Sequence, residues 1–131
     1  MREVVEGRLV LAEDLVPGHL VIDDGWITDM ATDPGNEAWA AGPLLPPGLI
    51  DVHVHGWRGH DSTGDAEALA GMARALLRQG ITSFLPTAPS LPEPEIPRFA
   101  ARVREWMPSA PADGAEPLAQ AYAGHQFGGF S

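Results

Sequence analysis

The first third of the chain has the hydrophobic pattern of an antiparallel sheet. Residues 3–11 and 19–23 are rich in Val, Leu and Ile, and residues 26–30 alternate apolar and polar side chains. Asp24-Gly25 lies between the last two segments and is a hairpin signal, because glycine tolerates the positive φ of a tight turn. These segments predict a three-stranded meander, and the Pro- and Gly-rich residues 32–48 predict a loop.

The pattern changes in residues 49–107, where short apolar runs alternate with segments of helical period. Residues 49–56 and 81–87 predict strands, and 65–78 and 94–106 predict helices with one apolar face each. Strands this apolar do not face water, so we expect a parallel sheet covered by helices and an α/β fold. The two predicted apolar helix faces comprise Leu69, Met72, Ala73, Leu76 and Leu77, and Ile96, Phe99, Ala100, Val103 and Trp106.

Composition and charge exclude several classes of partner. The 131 residues include 8 basic and 18 acidic side chains, which give a formal net charge of −10. Binding to nucleic acid or to an anionic membrane surface needs clustered cations, so we expect neither partner. No apolar run reaches the roughly 18 residues of a membrane span, and the acids near the N-terminus do not fit a secretory signal. The absence of Cys agrees with a cytoplasmic location.

The main chemical signal is the pair His53 and His55 at the end of the first apolar strand. Residues two apart on a strand point to the same side, so the two imidazoles face one way. Imidazole binds zinc, iron and similar divalent ions well. A bare His-x-His pair is also compatible with the polar end of a surface strand, and a catalytic zinc usually takes three protein ligands.

The sequence around this pair carries a family resemblance. Pro47-Gly-Leu-Ile-Asp-Val-His-Val-His-Gly56 resembles the first-strand signature of the amidohydrolase superfamily. Gly59-His60-Asp61 and Gly80-Ile-Thr-Ser-Phe-Leu-Pro-Thr87 are more specific, and they resemble the N-acetylglucosamine-6-phosphate deacetylases. The resemblance covers about residues 3–117 and corresponds to the N-terminal part of such an enzyme.

The resemblance implies a fold and a division into domains. Residues 1–46 would be part of a small β domain, and residues 47–107 would be the first two β/α units of a (β/α)₈ barrel of the TIM type. Residues 108–131 would be a linker and an irregular Gly-rich tail. A complete barrel needs roughly 250 residues, so we expect a truncated chain. Its open strand edges would favour self-association into a homo-oligomer.

The resemblance also implies a reaction and a cofactor. The deacetylases are hydrolases of amino-sugar metabolism that cleave the N-acetyl amide of a phosphorylated amino sugar and release acetate. His53 and His55 match the His-x-His pair of the family, which contributes a metal site in some members and is replaced in others, so the family works with one metal or two. The match predicts a divalent metal, zinc or iron. The general base is expected beyond the chain end, so no catalytic residue is assigned and the chain alone is expected to be inactive.

Three further residues are candidates for binding substrate. His60 and Asp61 lie in the loop after the first strand, which borders the active site in the family. The same two residues also suit a loop turn or a helix cap, and the sequence leaves both interpretations open. Thr87 ends the second strand at the same rim as His55 and is the third candidate.

The last residues depart from the deacetylase pattern. The third barrel strand of the family carries a metal-binding Glu, which is absent here, and His125 is the only candidate ligand in that region. Residues 118–131 resemble instead a short Gly-rich stretch of the selenoprotein O family. Two other functions stay open. One is a non-catalytic remnant or interaction module, and the other is a different amidohydrolase, such as a dihydroorotase-like enzyme, which residues 80–87 disfavour.

Overall fold

A computed structural model describes residues 1–119 and 121–122. Its contacts divide the chain into two compact units, Met1–Pro47 and Gly48–Ser131. In the part of the chain that the structure describes, no helix is both long and apolar enough to cross a membrane.

The first unit contains the predicted antiparallel meander. Strands β1 (Arg2–Val10), β2 (Leu15–Asp23) and β3 (Trp26–Thr32) pair in the sheet order β3-β2-β1. Asp24 and Gly25 connect β2 to β3 with φ angles of 49° and 83°, which is the backbone that the Asp-Gly signal predicts. The strand pattern of this unit could therefore be predicted from the sequence.

The predicted loop 32–48 contains two short elements. Helix α1 (Glu37–Ala40) is a single turn, which the side chain of Asn36 caps by accepting a hydrogen bond from the Trp39 amide at 3.1 Å. Strand β4 (Leu44–Leu45) then pairs in parallel with β1. Elements of four and two residues are too short to produce a hydrophobic period, so the sequence pattern could not indicate them.

The second unit begins with the predicted β-α-β-α alternation, and the α/β class is confirmed. Strand β5 (Leu49–Val54) is followed by a small hairpin, β6 (Gly56–Trp57) and β7 (His60–Asp61). Helix α2 (Ala66–Leu77), strand β8 (Ile81–Ala88) and helix α3 (Glu95–Trp106) come next. Strands β5 and β8 pair in parallel, as expected for strands joined by a helical crossover.

Short strands also lie in the segment that its composition marks as a linker and tail. After a 3₁₀ turn at Met107–Ser109, strands β9 (Glu116–Pro117) and β10 (Ala121–Tyr122) both pair in parallel with β8. In the described residues, β8 therefore has parallel neighbours on both sides. His125 and most of the Gly-rich tail lie outside the described residues.

The core of the second unit lies between its sheet and its helices. Phe84 and Ala88 of β8 pack with the apolar faces of α2 and α3, and Ala115 closes the cluster. Asp65 caps α2 by accepting a hydrogen bond from the Ala68 amide, as the sequence predicts, and Gly80 follows the helix with a φ of 81°. The buried helix residues are Leu69, Met72, Ala73, Leu76, Phe99, Val103 and Trp106.

The core predicts a clear difference between two leucines of this unit. Leu76 is 1% exposed and Leu49 is 62% exposed. We expect Leu76→Ala to lower the free energy of unfolding by about 2–5 kcal/mol, because it leaves a cavity between α2 and β8. Leu49→Ala is the matched control and should change it by less than about 1 kcal/mol. Urea unfolding followed by the NMR signal of the Trp106 indole measures both, and equal losses would contradict this core assignment.

Candidate metal and substrate site

An irregularity in the β5–β8 pairing lies next to the two histidines. The residue pairs run regularly from Ile50 to Asp51, and the register then shifts before Val54 pairs with Pro86. His53 lies inside this shift and His55 follows directly after β5. Such irregularities redirect side chains at strand ends. The shift lies at the carboxyl end of the strand, where ligands commonly bind in parallel α/β folds.

The two imidazole rings lie side by side. Their centroids are 4.8 Å apart with the ring planes 85° apart, and the Nε2 atoms of His53 and His55 are 3.1 Å apart. Both rings therefore lie on the same side of the strand, as the spacing predicts. Their role as metal ligands stays a prediction.

The carbonyl group of Thr87 orients the second ring. Nδ1 of His55 lies 2.9 Å from the Thr87 carbonyl oxygen, which can only accept a hydrogen bond. In the neutral ring Nδ1 therefore carries the proton, and Nε2 of His55 presents its lone pair to His53. A ring nitrogen fixed in this way by a backbone carbonyl is the usual arrangement around histidines that bind metals.

Ser62, in the loop after β7, forms hydrogen bonds to both strand ends. It is fully buried, its hydroxyl donates to the same Thr87 carbonyl at 2.7 Å, and its amide donates to the His55 carbonyl at 2.8 Å. Ser62 thus joins the end of β8 to the end of β5. The sequence does not single out Ser62, because a lone serine in a loop carries no spacing signal.

Thr87, a predicted substrate contact, is 1% exposed. Its hydroxyl donates to the Leu85 carbonyl at 2.9 Å and accepts from the Val54 amide at 3.3 Å. In this arrangement the hydroxyl and the carbonyl of Thr87 both connect β8 to the strand that carries the histidines. Its contact with substrate stays a prediction.

The spacing of the two Nε2 atoms is compatible with a shared metal ion. Two nitrogens each 2.0–2.1 Å from a zinc ion are about 3.3 Å apart at the tetrahedral angle. The observed separation is 3.1 Å, and the lone pair of His55 Nε2 already faces inward. The described residues contain no group of three His, Cys, Asp or Glu side chains that could hold a metal. Within them, this arrangement supplies two ligands.

Asp61 lies next to this pair in a turn of its own. Its carboxylate accepts hydrogen bonds from the amide and the hydroxyl of Thr63, both at 2.7 Å. These bonds lower the pKa of the Asp61 carboxyl from its ordinary value of 3.8, and the hydroxyl contributes most. Partial burial opposes this shift, and the positively charged form of the nearby His55 ring adds a smaller lowering. Asp61 therefore makes a loop turn beside the histidines, and its contact with substrate stays a prediction.

His60 has different surroundings. Its ring packs against α2 at Gly71, where a Cβ atom would lie only 2.3 Å from Cε1 of the ring. The structure thus brings His53, His55, Asp61 and Thr87 together at the end of β5, while the His60 ring lies along the helix. Its contact with substrate also stays a prediction.

The sequence is similar to two deacetylases of amino-sugar phosphates. The chain is 35% identical over 97 residues to N-acetylglucosamine-6-phosphate deacetylase of Bacillus subtilis, covering 68% of this chain and 24% of the relative. It is 33% identical over 117 residues to N-acetylgalactosamine-6-phosphate deacetylase of Escherichia coli, covering 84% and 31%. The chain is similar to a part of each of these deacetylases. It spans about a quarter to a third of their length, and no family model matches it.

Solved structures support the same fold. The N-acetylglucosamine-6-phosphate deacetylase of Thermotoga maritima matches 92% of this chain and 31% of its own with a TM-score of 0.75 and 23% identity. The enzyme of Pasteurella multocida matches 93% and 34% with a TM-score of 0.72 and 19% identity. A mutant enzyme of Mycobacterium smegmatis, in complex with N-acetyl-D-glucosamine-6-phosphate, matches 79% and 30% with a TM-score of 0.58 and 22% identity.

Two further expectations can be compared with these matches. A dihydroorotase of Thermococcus kodakarensis is 36% identical over 83 residues, covering 61% of this chain and 20% of the relative. The amidohydrolase resemblance is thus supported beyond the deacetylases. The resemblance of residues 118–131 to the selenoprotein O family receives no support, and most of these residues lie outside the described ones.

The hydrogen bonds of the two rings predict opposite tautomers in the metal-free chain. Nε2 of His55 has no proton to donate, so Nε2 of His53 must donate across the 3.1 Å contact. We expect ¹⁵N NMR near pH 8.5, where ordinary imidazoles are neutral, to show His55 protonated at Nδ1 and His53 at Nε2. The same tautomer at both residues would contradict the geometry, and His19, in the first unit, provides a reference spectrum.

The turn at Asp61 predicts a pH effect with a definite sign. A lowered carboxyl pKa in the folded state stabilises the fold above the unfolded value, and this stabilisation is lost as the pH falls through the folded pKa. We expect Thr63→Val to raise the Asp61 pKa toward 3.8, because the hydroxyl donor is removed while the amide donor remains. Carboxyl ¹³C NMR titration measures this shift. Asp65, whose cap bond does not involve Thr63, is the control, and an unchanged Asp61 pKa would contradict the assignment.

Proposed function

We propose that this chain supplies the first metal ligands of a deacetylase that hydrolyses the N-acetyl group of an amino-sugar phosphate. The observation that carries the proposal is the pair of facing Nε2 atoms, 3.1 Å apart, at the end of a strand whose sequence matches the deacetylases. The complex of the Mycobacterium smegmatis enzyme with N-acetyl-D-glucosamine-6-phosphate supports the substrate class.

His53 and His55 would hold the metal through Nε2. The Thr87 carbonyl keeps the proton of His55 on Nδ1, and Ser62 holds that carbonyl in place. A bound divalent metal, zinc or iron, supplies a Lewis acid for the amide carbonyl and a water of lowered pKa. We also propose His60, Asp61 and Thr87 as substrate contacts, of which Asp61 and Thr87 lie beside His55 at the end of β5.

The proposed enzyme needs more than the described residues contain. A catalytic zinc site usually has three protein ligands, and the described residues bring two of them together. The second unit would be the first two β/α units of the barrel, and the first unit would be part of the small β domain. We propose that the 131-residue chain alone does not release acetate, that its open edges favour self-association, and that the enzyme acts in the cytoplasm.

A second candidate function has one specific observation in its favour. The chain is also similar to a dihydroorotase, which supports an alternative in which the two histidines belong to an amidohydrolase that opens cyclic amides. The longer matches to two deacetylases of different amino sugars favour amide hydrolysis on a sugar phosphate. A non-catalytic interaction module would use the same scaffold without binding a metal at the two histidines.

Metal binding by the chain itself tests the first step. We expect zinc to bind the 131-residue chain in isothermal titration calorimetry and to move the proton of His53 from Nε2 to Nδ1 in ¹⁵N spectra. His53→Ala and His55→Ala should each lower the affinity by at least about 100-fold, because loss of a ligand costs at least as much as loss of its supporting hydrogen bond. His19→Ala is the matched control. Equal affinity in all three variants would contradict the proposed site.

A chimaeric enzyme tests the reaction. The matched 97 residues of the Bacillus subtilis deacetylase are replaced by the corresponding residues of this chain. We expect the chimaera to release acetate from N-acetylglucosamine-6-phosphate and to lose activity with His53→Ala and His55→Ala. Opening of dihydroorotate without acetate release would favour the second candidate. A folded chimaera inactive on both substrates would contradict both enzymatic functions and favour the interaction module.

A further inference from the structure

An open groove of about 540 Å³ lies between helix α2 and the β6–β7 hairpin. We name it the arginine groove and define it by Arg58, His60, Arg74 and Arg78 around the small residues Gly71 and Ala75. It does not include His53, His55 or Thr87. Among these residues the proposed deacetylase function assigns a role to His60 alone and none to the three arginines.

The sequence of α2 explains the shape of the groove. Gly71, Arg74 and Ala75 of α2 and the C-cap residue Arg78 follow the spacing i, i+3, i+4 and i+7, so they form one stripe on the helix surface. Gly71 and Ala75 add little side-chain volume to the lining, which Arg74 and Arg78 complete on the helix side. The ring of His60 lies against Gly71, where any side chain would collide with it.

The charge of the groove opposes that of the chain. The chain has 18 acidic side chains and a net charge of −10, yet no carboxylate lines the groove. Among the described residues, no carboxylate lies within 4.0 Å of the guanidinium groups of Arg58 and Arg78. Arg74 binds Asp113 through Nε at 2.9 Å, which leaves its two terminal amino groups for another partner.

Arg58 occupies a turn position whose backbone conformation is unfavourable for arginine. Arg58 and Gly59 form the two-residue loop between β6 and β7 with φ angles of 52° and 84°. The first position of such a turn favours Asn, Asp or Gly, and an arginine there costs about 1 kcal/mol. The turn geometry thus gives no reason for an arginine, whereas a bound anion does.

We propose that the arginine groove binds the phosphate group of a small molecule, at a site separate from the two histidines. A guanidinium group can donate two parallel hydrogen bonds to two oxygens of one phosphate. The side-chain amide of Gln79, which also lines the groove, provides a further donor. No aromatic side chain other than His60 lines the groove. A ligand without a stacking base, such as a sugar phosphate or free phosphate, fits this lining better than a nucleotide does.

NMR titration of the ¹⁵N-labelled 131-residue chain tests this site. The probes are hexose 6-phosphate, inorganic phosphate and the unphosphorylated hexose. Both phosphates should shift the amide signals of Gly71 and Arg78 to saturation, and the unphosphorylated hexose should not. Tighter binding of one phosphate identifies whether a sugar phosphate or free phosphate is the natural source, and either result supports the site.

Charge removal provides the matched variants. The double variant Arg58→Gln/Arg78→Gln should weaken phosphate binding by about tenfold or more, because charge-assisted hydrogen bonds are lost. Arg104→Gln removes an exposed arginine from the last turn of α3 and should leave binding unchanged. The remaining amide signals show whether each variant keeps its fold.

Three results would overturn the proposal. The first is the absence of saturable shifts at Gly71 and Arg78 in the unmodified chain. The second is an equal loss of affinity in Arg104→Gln, which would mean that only overall charge matters. The third is loss of phosphate binding in His53→Ala/His55→Ala, which would place the anion at the histidine pair. Retained binding there separates this site from the proposed deacetylase function, which can fail independently.

Discussion

The hydrogen bonds around the carbonyl of Thr87 hold the candidate site together. This oxygen accepts from His55 and from Ser62, while the hydroxyl of the same residue contacts the backbone of β5. Each bond contributes only about 1 kcal/mol, but together they fix where the end of β8 meets the end of β5. The tautomer of His55, and hence the direction of its lone pair, depends on this one contact. The facing arrangement of the two histidines follows from it.

The segment after β5, which includes the β6–β7 hairpin, places its residues in two different surroundings. Asp61 ends the hairpin in a turn beside His55, and Ser62 continues into the buried contact with Thr87. Arg58 and His60 lie instead along α2 in the arginine groove. The cap of α2 at Asp65 and the bonds from Arg102 of α3 to the carbonyls of Thr63 and Gly64 hold the end of this loop. One short loop thus serves the proposed metal site and the proposed anion site.

Much of the fold could be predicted from the sequence, because its elements produce regular patterns. The meander, the two helices and the parallel strand pair all have a hydrophobic period or a clear terminating residue, such as Asp65 and Gly80. The two-residue spacing of His53 and His55 was also sufficient to place their rings on one side. The roles of Ser62 and of the Thr87 carbonyl could not be predicted. Both depend on backbone carbonyl acceptors, which every residue has and which therefore produce no sequence pattern. The arginine groove could not be predicted either, because it brings Arg58 of the hairpin turn next to residues of α2 that are distant in the sequence.

The position of a bound metal tests the central claim most directly. A crystal of the 131-residue chain soaked in zinc gives an anomalous signal that locates the ion without reference to activity. The account predicts a peak about 2.0–2.1 Å from the Nε2 atoms of both His53 and His55, with Nδ1 of His55 still bonded to the Thr87 carbonyl. Zinc bound elsewhere while the two rings still face each other, or rings turned to opposite sides of the strand, would contradict it.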